Sequence, residues 1–347
     1  MTSRERVLAA FAHVEGDRVP AWCGALPEFW AKAKRTLGLD DEGLRARFGD
    51  DFRRVHARYI GPQSPLPPGV VSRSIFGIER RGIGYGQPMN HPLRNASVGE
   101  IHEYSWPDPD WMDVSGIRAE AERYGRRYAI LGGDWSPFWH DAIDLLGPEI
   151  FMKMYEAPEV VDAVLEHVVQ YYLRVSQRIF DAAGSAIDIF FIGNDFGTQI
   201  GPVIGNAIFE RFVLSHLRKL IDLGHSHGLK VMLHCCGGFA PLIPLLVEAG
   251  LDGLHAVQPS CRGMDLKVLK SQFGDKMLFN GAIDSHHVLI KGTPDLVREK
   301  TREVLAIMKP GGGYVAGASH DAILEETPVE NIVAMFDAIR EFGVYGR

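Results

Sequence analysis

The stretch VMLHCCGG at 231–238 ends a short apolar run in His234, Cys235 and Cys236, and then turns the chain through Gly237 and Gly238. Side chains two apart in a strand project to the same side, so His234 and Cys236 share one face and Cys235 takes the other. An imidazole and a thiolate placed this way can hold one soft or borderline cation such as zinc. The same residues also suit a plain interior, with Cys236 as a small apolar filler and His234 as a hydrogen-bonded core histidine. The elements around them bear on that choice.

Six strand-like runs punctuate the chain from 126 onward: YAILGG (128–133), DIFFIGND (188–195), VMLHCC (231–236), GLHAV (253–257), LFNGAID (278–284) and GYVAGAS (313–319). Helical patterns fill the gaps at about 147–183, 207–227, 240–249, 264–273, 295–308 and 329–342. Alternation of this kind implies a parallel sheet, and two strands from the first part, one of them RVPAW at 18–22, complete the eight of a (β/α)8 TIM-type barrel. An open doubly wound sheet is the alternative, but LGGDWSP is a poor phosphate loop. Residues 1–125 read as a helical and hairpin extension carrying the first strands, and 126–347 as regular β/α units of the same single domain. In the extension a helix starts the chain, a polar helical stretch covers 28–48, IERRGIGYG suggests a hairpin, and Pro107 and Pro109 keep WPDPDWMD out of helix. The Gly- and Pro-containing loop from Ile60 to Pro92 reads equally as a lid or a rigid excursion.

Barrels of this type do chemistry at the C-terminal ends of their strands. Those ends bring forward Asp134 and Trp135, Asn194 and Asp195, His234 and Cys236, His255 and Gln258, Asn280 and Asp284, then Ser319, His320 and Asp321. Trp22, Trp135, Asn194, Asn280 and Asp284 are assigned to substrate binding. Asp195 and Gln258 are assigned to orienting substrate or metal-bound water, and His320 to general base work, since imidazole titrates near neutrality. Structural roles compete: Asp195 and Asp284 as helix caps, Asn280 and Gln258 as partners of loop backbone. The histidines of HSHG (225–228) and SHH (285–287) read as surface.

With 347 residues, 46% hydrophobic and 23% charged, the chain can bury a large core. A formal charge of −7 and no long Lys/Arg block argue against a nucleic-acid partner and for a small-molecule substrate. Four cysteines, two of them adjacent, do not make a disulfide framework, so a reducing cytoplasm fits. No apolar run reaches the roughly 18 residues that argue a membrane span.

The run from HCCGG through GLHAVQPSCRGMDLKVLKSQFGDKMLFNGAID to GGGYVAGASHDAILEETPVENIVAMFDA, with RERVLAAFAHVEGDRVP, HPLRNASVGEIHEYSWPDPDW and NDFGTQIGPVI, resembles the uroporphyrinogen decarboxylase superfamily. It looks most like the branch of zinc-dependent, corrinoid-linked methyltransferases. The arginine-rich signature of authentic decarboxylases is replaced here by AWCGALPEFWAKAKR, and IGPQSPLPPGVV offers no counterpart of their catalytic aspartate. The resemblance therefore implies metal-assisted methyl transfer, with zinc or another divalent metal as cofactor and a corrinoid (cobalamin-type) protein or thiol as partner. A metal-independent decarboxylase or lyase, and a non-catalytic tetrapyrrole- or corrinoid-binding barrel, are the alternatives. The methyltransferases hold zinc with H-x-C and a later cysteine. His234 and Cys236 match the first two, while AGASHDA has no cysteine, so His320 is the best third ligand by position, with Asp195 or Gln258 as oxygen substitutes and Cys261 as a poorer choice. A homodimer is also in keeping with the resemblance.

Overall fold

Seven parallel strands lie side by side in chain order: β1 (Phe52–Arg54), β2 (Ala129–Gly132), β3 (Ile189–Gly193), β4 (Lys230–His234), β5 (Gly253–Val257), β6 (Leu278–Ile283) and β7 (Tyr314–Ala318). This computed structural model describes residues 1–82 and 86–346. Strands β2 to β7 fall on the six runs expected from sequence. Each is apolar on both faces because one side lines the interior and the other meets the surrounding helices.

The two edges of the sheet meet across a single residue. Ala21 bridges Asp50 beside β1 and Ala316 in β7, both in the parallel sense. Backbone bonds run from Asp51 N–H to the Ala21 carbonyl (3.0 Å), from Trp22 N–H to that of Ala316 (2.9 Å) and from Ala316 N–H to that of Pro20 (2.8 Å). The Asp51 carboxylate supplies a further rung, accepting from Ala21 N–H at 2.8 Å. It is fully buried and pairs with Arg6 at 2.7 Å and Arg18 at 2.8 Å. The strand expected at 18–22 is thus reduced to isolated bridges, two through Ala21 and one from Arg18 to Val344, because Pro20 has no N–H for a longer ladder. The architecture is mixed α/β, with a curled parallel sheet of the TIM-like kind.

Inside the ring, Phe52, Leu131, Ile189, Phe191, Met232, Leu278 and Val315 form one apolar cluster with Val7, Ala10 and Phe11 of the helix Ser3–Phe11. That helix stoppers the end where the strands begin. A Cβ added to Gly253, the first residue of β5, would meet Phe11 at 3.1 Å. The site is left to the opposite end.

Outside, the long helix Pro158–Ala183 buries Val161, Val164, Val168, Val175 and Ile179 at helical spacing against the sheet. A single helix over 147–183 is replaced by two, Ile150–Glu156 and Pro158–Ala183, because Pro158 pushes Ala157 out of the α region to φ −147°. Likewise the stretch 28–48 divides into Pro27–Leu37 and Asp41–Phe48 at Gly38, which takes φ +67°. The segment from Asn206 to Ser226 keeps helical course but widens at Glu210–Leu214. The helix Phe138–Leu146, not expected from sequence, follows β2 and proves central to the site.

The excursion after β1 holds three short antiparallel strands, Ser72–Arg73, Glu79–Arg81 and Gln87–Pro88. They include the hairpin expected over 78–86, whose residues 83–85 lie outside the described ones. WPDPDWMD forms a tight turn at Pro109–Trp111 and a strand, Met112–Asp113, paired with Arg58–Tyr59. Among the described residues no helix is long and apolar enough to cross a membrane.

Candidate functional site

β3 and β4 run in register so that Gly193 lies beside His234. Gly193 is required there: a Cβ would fall 1.9 Å from the Trp135 indole. That indole stacks on the His234 ring, with centroids 5.6 Å apart and planes at 29°. One residue past β3, Asn194 donates its N–H to the His234 carbonyl at 2.9 Å and turns the chain so that Asp195 reaches across β4.

Three donors converge at this point. His234 Nε2 lies 3.1 Å from Cys236 Sγ and 3.4 Å from Asp195 Oδ1. All three ligand atoms lie within 4.8 Å of one another. Asp195 is held in place from two sides: its Oδ1 accepts from Cys236 N–H at 2.7 Å, and His140 Nε2 sits 3.0 Å from its backbone N and 3.4 Å from its Oδ2. His140 comes from the helix Phe138–Leu146.

The electrostatics follow from this packing. Burial works against ionised Asp195, but hydrogen bonds from His140 and His234 hold its carboxyl well below the usual carboxylate range. Burial likewise disfavours charge on His234, yet Cys236 and Asp195 outweigh it and raise that imidazole well above its ordinary value. Burial raises the Cys236 thiol, with His234 pulling the other way. Cys235 faces away, fully buried, and its Sγ accepts from Phe196 N–H at 3.3 Å. The two neighbouring cysteines thus divide as strand alternation requires, one to the site and one to the core.

His255 completes the arrangement from below. Its Nδ1 lies 3.0 Å from His234 Nδ1. Burial, then the charge of His234, keeps His255 neutral, so its Nδ1 accepts while His234 Nδ1–H donates. That leaves His234 Nε2 as the nitrogen facing Cys236 and Asp195, which is how an outer partner fixes the tautomer of a ligating histidine. Imidazole nitrogen, sulfur and carboxylate oxygen at these separations match the donor set and spacing of a divalent ion such as zinc. In this geometry a proton on Nε2 lies between Cys236 Sγ and the Asp195 carboxylate.

The cluster opens into a cavity of about 530 Å³ whose lining includes Arg80, Trp135, His140, Asp141, Asp195 and His320. Asp141 is pushed up to about 7, mainly by burial, and accepts from Tyr172 OH. Arg80, from the small antiparallel sheet, pairs with Asp144 and so ties the excursion to the rim.

Other residues singled out in the sequence take varied positions. His320 lines the cavity, with Nδ1 3.0 Å from the Ala322 carbonyl, but the donor groups within mutual reach do not include it. Asp321 does join such a group, with His234 and His255. Gln258 Oε1 accepts from Gly237 N–H at 2.7 Å and steadies the turn after Cys236. Asn194 is fully buried, its Oδ1 accepting from Trp139 N–H at 2.9 Å and its Nδ2 donating to the Ser136 carbonyl at 3.1 Å. Asp284 caps the turn after β6 through His287 N–H at 2.6 Å. Asn280 lies inside the ring with Oδ1 unpartnered. Trp22 packs on Phe52, Phe191 and His255. Sequence reading missed His140, Asp141, Asp144 and Arg80; the signal for the first three was Pro137 opening an amphipathic FWHDAIDLL.

Comparison with known proteins adds the following. The family model described as uroporphyrinogen decarboxylase (URO-D) matches residues 117–342. A methylcobamide:CoM methyltransferase MtbA from Methanosarcina acetivorans is 23% identical over 368 residues, covering 98% of each chain. Its counterpart from Methanosarcina mazei is 21% identical over 370 residues, again with 98% of each covered. A uroporphyrinogen decarboxylase from Alkalilimnicola ehrlichii is 24% identical over 371 residues, covering 97% of this chain and 93% of that one. Among solved structures, one described as a methyltransferase from Methanosarcina mazei superposes with a TM-score of 0.69 at 20% identity, covering 99% of both chains, a likeness of fold.

Proposed function

The chain belongs to the uroporphyrinogen decarboxylase family, and from that premise we propose that it is a metal-assisted methyltransferase acting on a small substrate, with a thiol as acceptor and a methylcobamide on a partner corrinoid protein as donor. The observation that carries this reading is the convergence of His234 Nε2, Cys236 Sγ and Asp195 Oδ1 within 4.8 Å. These three would hold the ion, zinc being the best match to the donor set, with Asp195 as the third donor ahead of His320. When bound, such an ion supplies Lewis acidity, which lowers the pKa of an acceptor thiol and makes it nucleophilic at neutral pH.

The chain's own groups do the rest. His140 fixes Asp195, and His255 fixes the His234 tautomer. Trp135 walls the cluster with an apolar face and keeps water from one side. His320 Nδ1 is engaged with Ala322, leaving Nε2 to take up the proton that the acceptor thiol gives up. Decarboxylation of a polycarboxylate finds less support, because Arg45 and Arg53 at the mouth are already paired, with Asp50 at 2.6 Å and Glu42 at 2.8 Å.

The test is metal content per chain on untagged protein purified without chelator, alongside demethylation of free methylcobalamin by a thiol followed through its visible absorbance. About one zinc per chain that is lost in Cys236→Ala and Asp195→Ala but kept in His320→Ala, with thiol-dependent demethylation, supports the proposal. Protein that takes up no metal from added zinc would sink it.

A further inference from the structure

Beneath the donor cluster two polar atoms lie buried in the ring without a hydrogen-bond partner, Nε2 of His255 and Oδ1 of Asn280. Both residues are fully buried. Their strands bring them together. β5 and β6 pair Leu254 with Phe279 and next Val257 with Gly281, so His255 and Ala256 both stand opposite the single residue Asn280. A bulge of this kind re-aims a side chain. Met232 and Leu278 belong to the apolar cluster inside the ring, and His234 and Asn280, each two positions further on, point the same way. Three neighbouring strands thus present His234, His255 and Asn280 to the interior in turn.

An asparagine is the wrong residue for plain packing here. Val315, its partner across the ladder to β7, is apolar and interior, and a leucine at 280 would fill the place without an unpaired acceptor, which is costly when buried. The amide is oriented at its other end: Nδ2 lies 3.8 Å from the Met232 sulfur, a weak acceptor, so the oxygen is the atom left over. On His255, Nδ1 is spent in accepting from His234 Nδ1–H, which puts the ring's own proton on Nε2. An N–H and a carbonyl oxygen therefore remain on adjacent strands with no direct bond between them. One enclosed water joins such a pair. Trp22 Nε1, also buried and unpartnered, lies on the side of Gly24, where an added Cβ would come within 3.1 Å of it.

We propose that Asn280 is a positioning residue for the donor cluster: one water held between β5 and β6 carries a hydrogen bond from His255 Nε2–H to Asn280 Oδ1, and the amide thereby sets the direction of the whole row. The row can run two ways. With an acceptor at its far end every proton points away from the cluster, His255 Nε2–H toward the amide and His234 Nδ1–H toward His255, and His234 Nε2 is the nitrogen whose lone pair a cation can take. Reversed, His255 would carry its proton on Nδ1, His234 Nδ1 would have to accept, and the His234 proton would be held on Nε2, where it bars a ligand bond. An amide oxygen never donates, so it selects the first direction. The consequence for metal binding rests on the metal-assisted reading above; the hydrogen-bonded row does not.

Two-bond proton–nitrogen correlation spectra of the full-length, metal-free protein labelled at histidine read the tautomer of each ring, with His255→Gln identifying the His255 signals. In the wild type His255 should carry its proton on Nε2. In Asn280→Leu that single form should give way to a mixture or to the Nδ1–H form, and zinc affinity by chelator competition should fall roughly 10- to 100-fold, the range for loss of an outer partner. Asn280→Ser, whose hydroxyl can accept from the same water, should restore both in part. A residue that only packs predicts the opposite order, since leucine keeps the volume and serine does not. A proton on His255 Nδ1 in the wild type overturns the proposal even if the leucine variant fails to fold. So does a folded Asn280→Leu in which the tautomer is unchanged or in which, where the wild type binds zinc, the zinc affinity is unchanged. If the wild type takes up no zinc while its His255 tautomer still responds to Asn280→Leu, the row stands and the metal reading alone is lost.

Discussion

On the β3–β4 side of the mouth every charge is answered. Asp195 accepts from Cys236 N–H and is flanked by His140 and His234, and His234 is in turn held from below by His255. On the β1 side Arg54 stands over two aromatic rings with its Nε unpartnered. The cavity that Arg54 lines and the one beside the cluster sit at the same end of one ring of strands and share Asp321 as a boundary. A cluster of mutually satisfied donors is organised in advance and can exchange a proton for a cation with little rearrangement. The contrast is between a centre arranged to hold a cation and one whose charge is unpaired.

The largest blow to one side alone is Cys236→Ala. It should abolish bound zinc as read by metal analysis, whereas Arg54→Gln on the β1 side should leave it in place. Loss of zinc in both would mean that the two cavities are one site.

Next in size is Asp141, a neighbour of Asp195 whose carboxyl behaves oppositely. Asp195 is kept ionised, whereas burial pushes Asp141 up to about 7. A carboxyl raised in the folded state binds more protons there than when unfolded, so its contribution is present below the unfolded value near 3.8 and is lost as pH rises through about 7. Urea unfolding from pH 4 to pH 8 should show Asp141→Asn removing a decline on the order of 3 kcal/mol. An unchanged slope would place the proton elsewhere.

His140→Ala removes an outer partner of a candidate ligand. Zinc affinity, measured by competition with a chelator, should drop roughly 10- to 100-fold. Smallest is Gly193→Ala, which drives a methyl group into Trp135. It should cost about 1–3 kcal/mol in denaturant midpoint and reach both sides of the mouth, since the displaced indole lies against His234 and Arg54.

Much of this was legible in the sequence. Strands β2 to β7 announce themselves as short apolar runs closed by glycine or a polar residue, and alternation alone sent Cys235 inward and Cys236 to the site. β1 was not legible, because its three residues are Phe52, Arg53 and Arg54, and two arginines do not read as a barrel strand. Strand-end position brought Asp195, His234, Cys236 and His320 to one rim and ranked His320 as third donor; the loop after β7 turns His320 onto the Ala322 carbonyl, and distance sets Asp195 beside the pair. His140 and Arg80 come from a helix and an excursion rather than from strand ends, so a rule about strand ends could not find them. Arg54 stood one position from an arginine that is fully paired, and only tertiary packing tells the two apart.

The closure at Ala21 has a mechanical consequence. A ring joined along most of its circumference by strand ladders, but closed through the one residue Ala21 and the side chain of Asp51, has a thin joint at that seam. Strain applied to the mouth is therefore released between β1 and β7. The donor cluster rides on β3 and β4, in the rigid arc, where sub-ångström placement of ligands can be maintained. Arg54 ends β1, beside that seam.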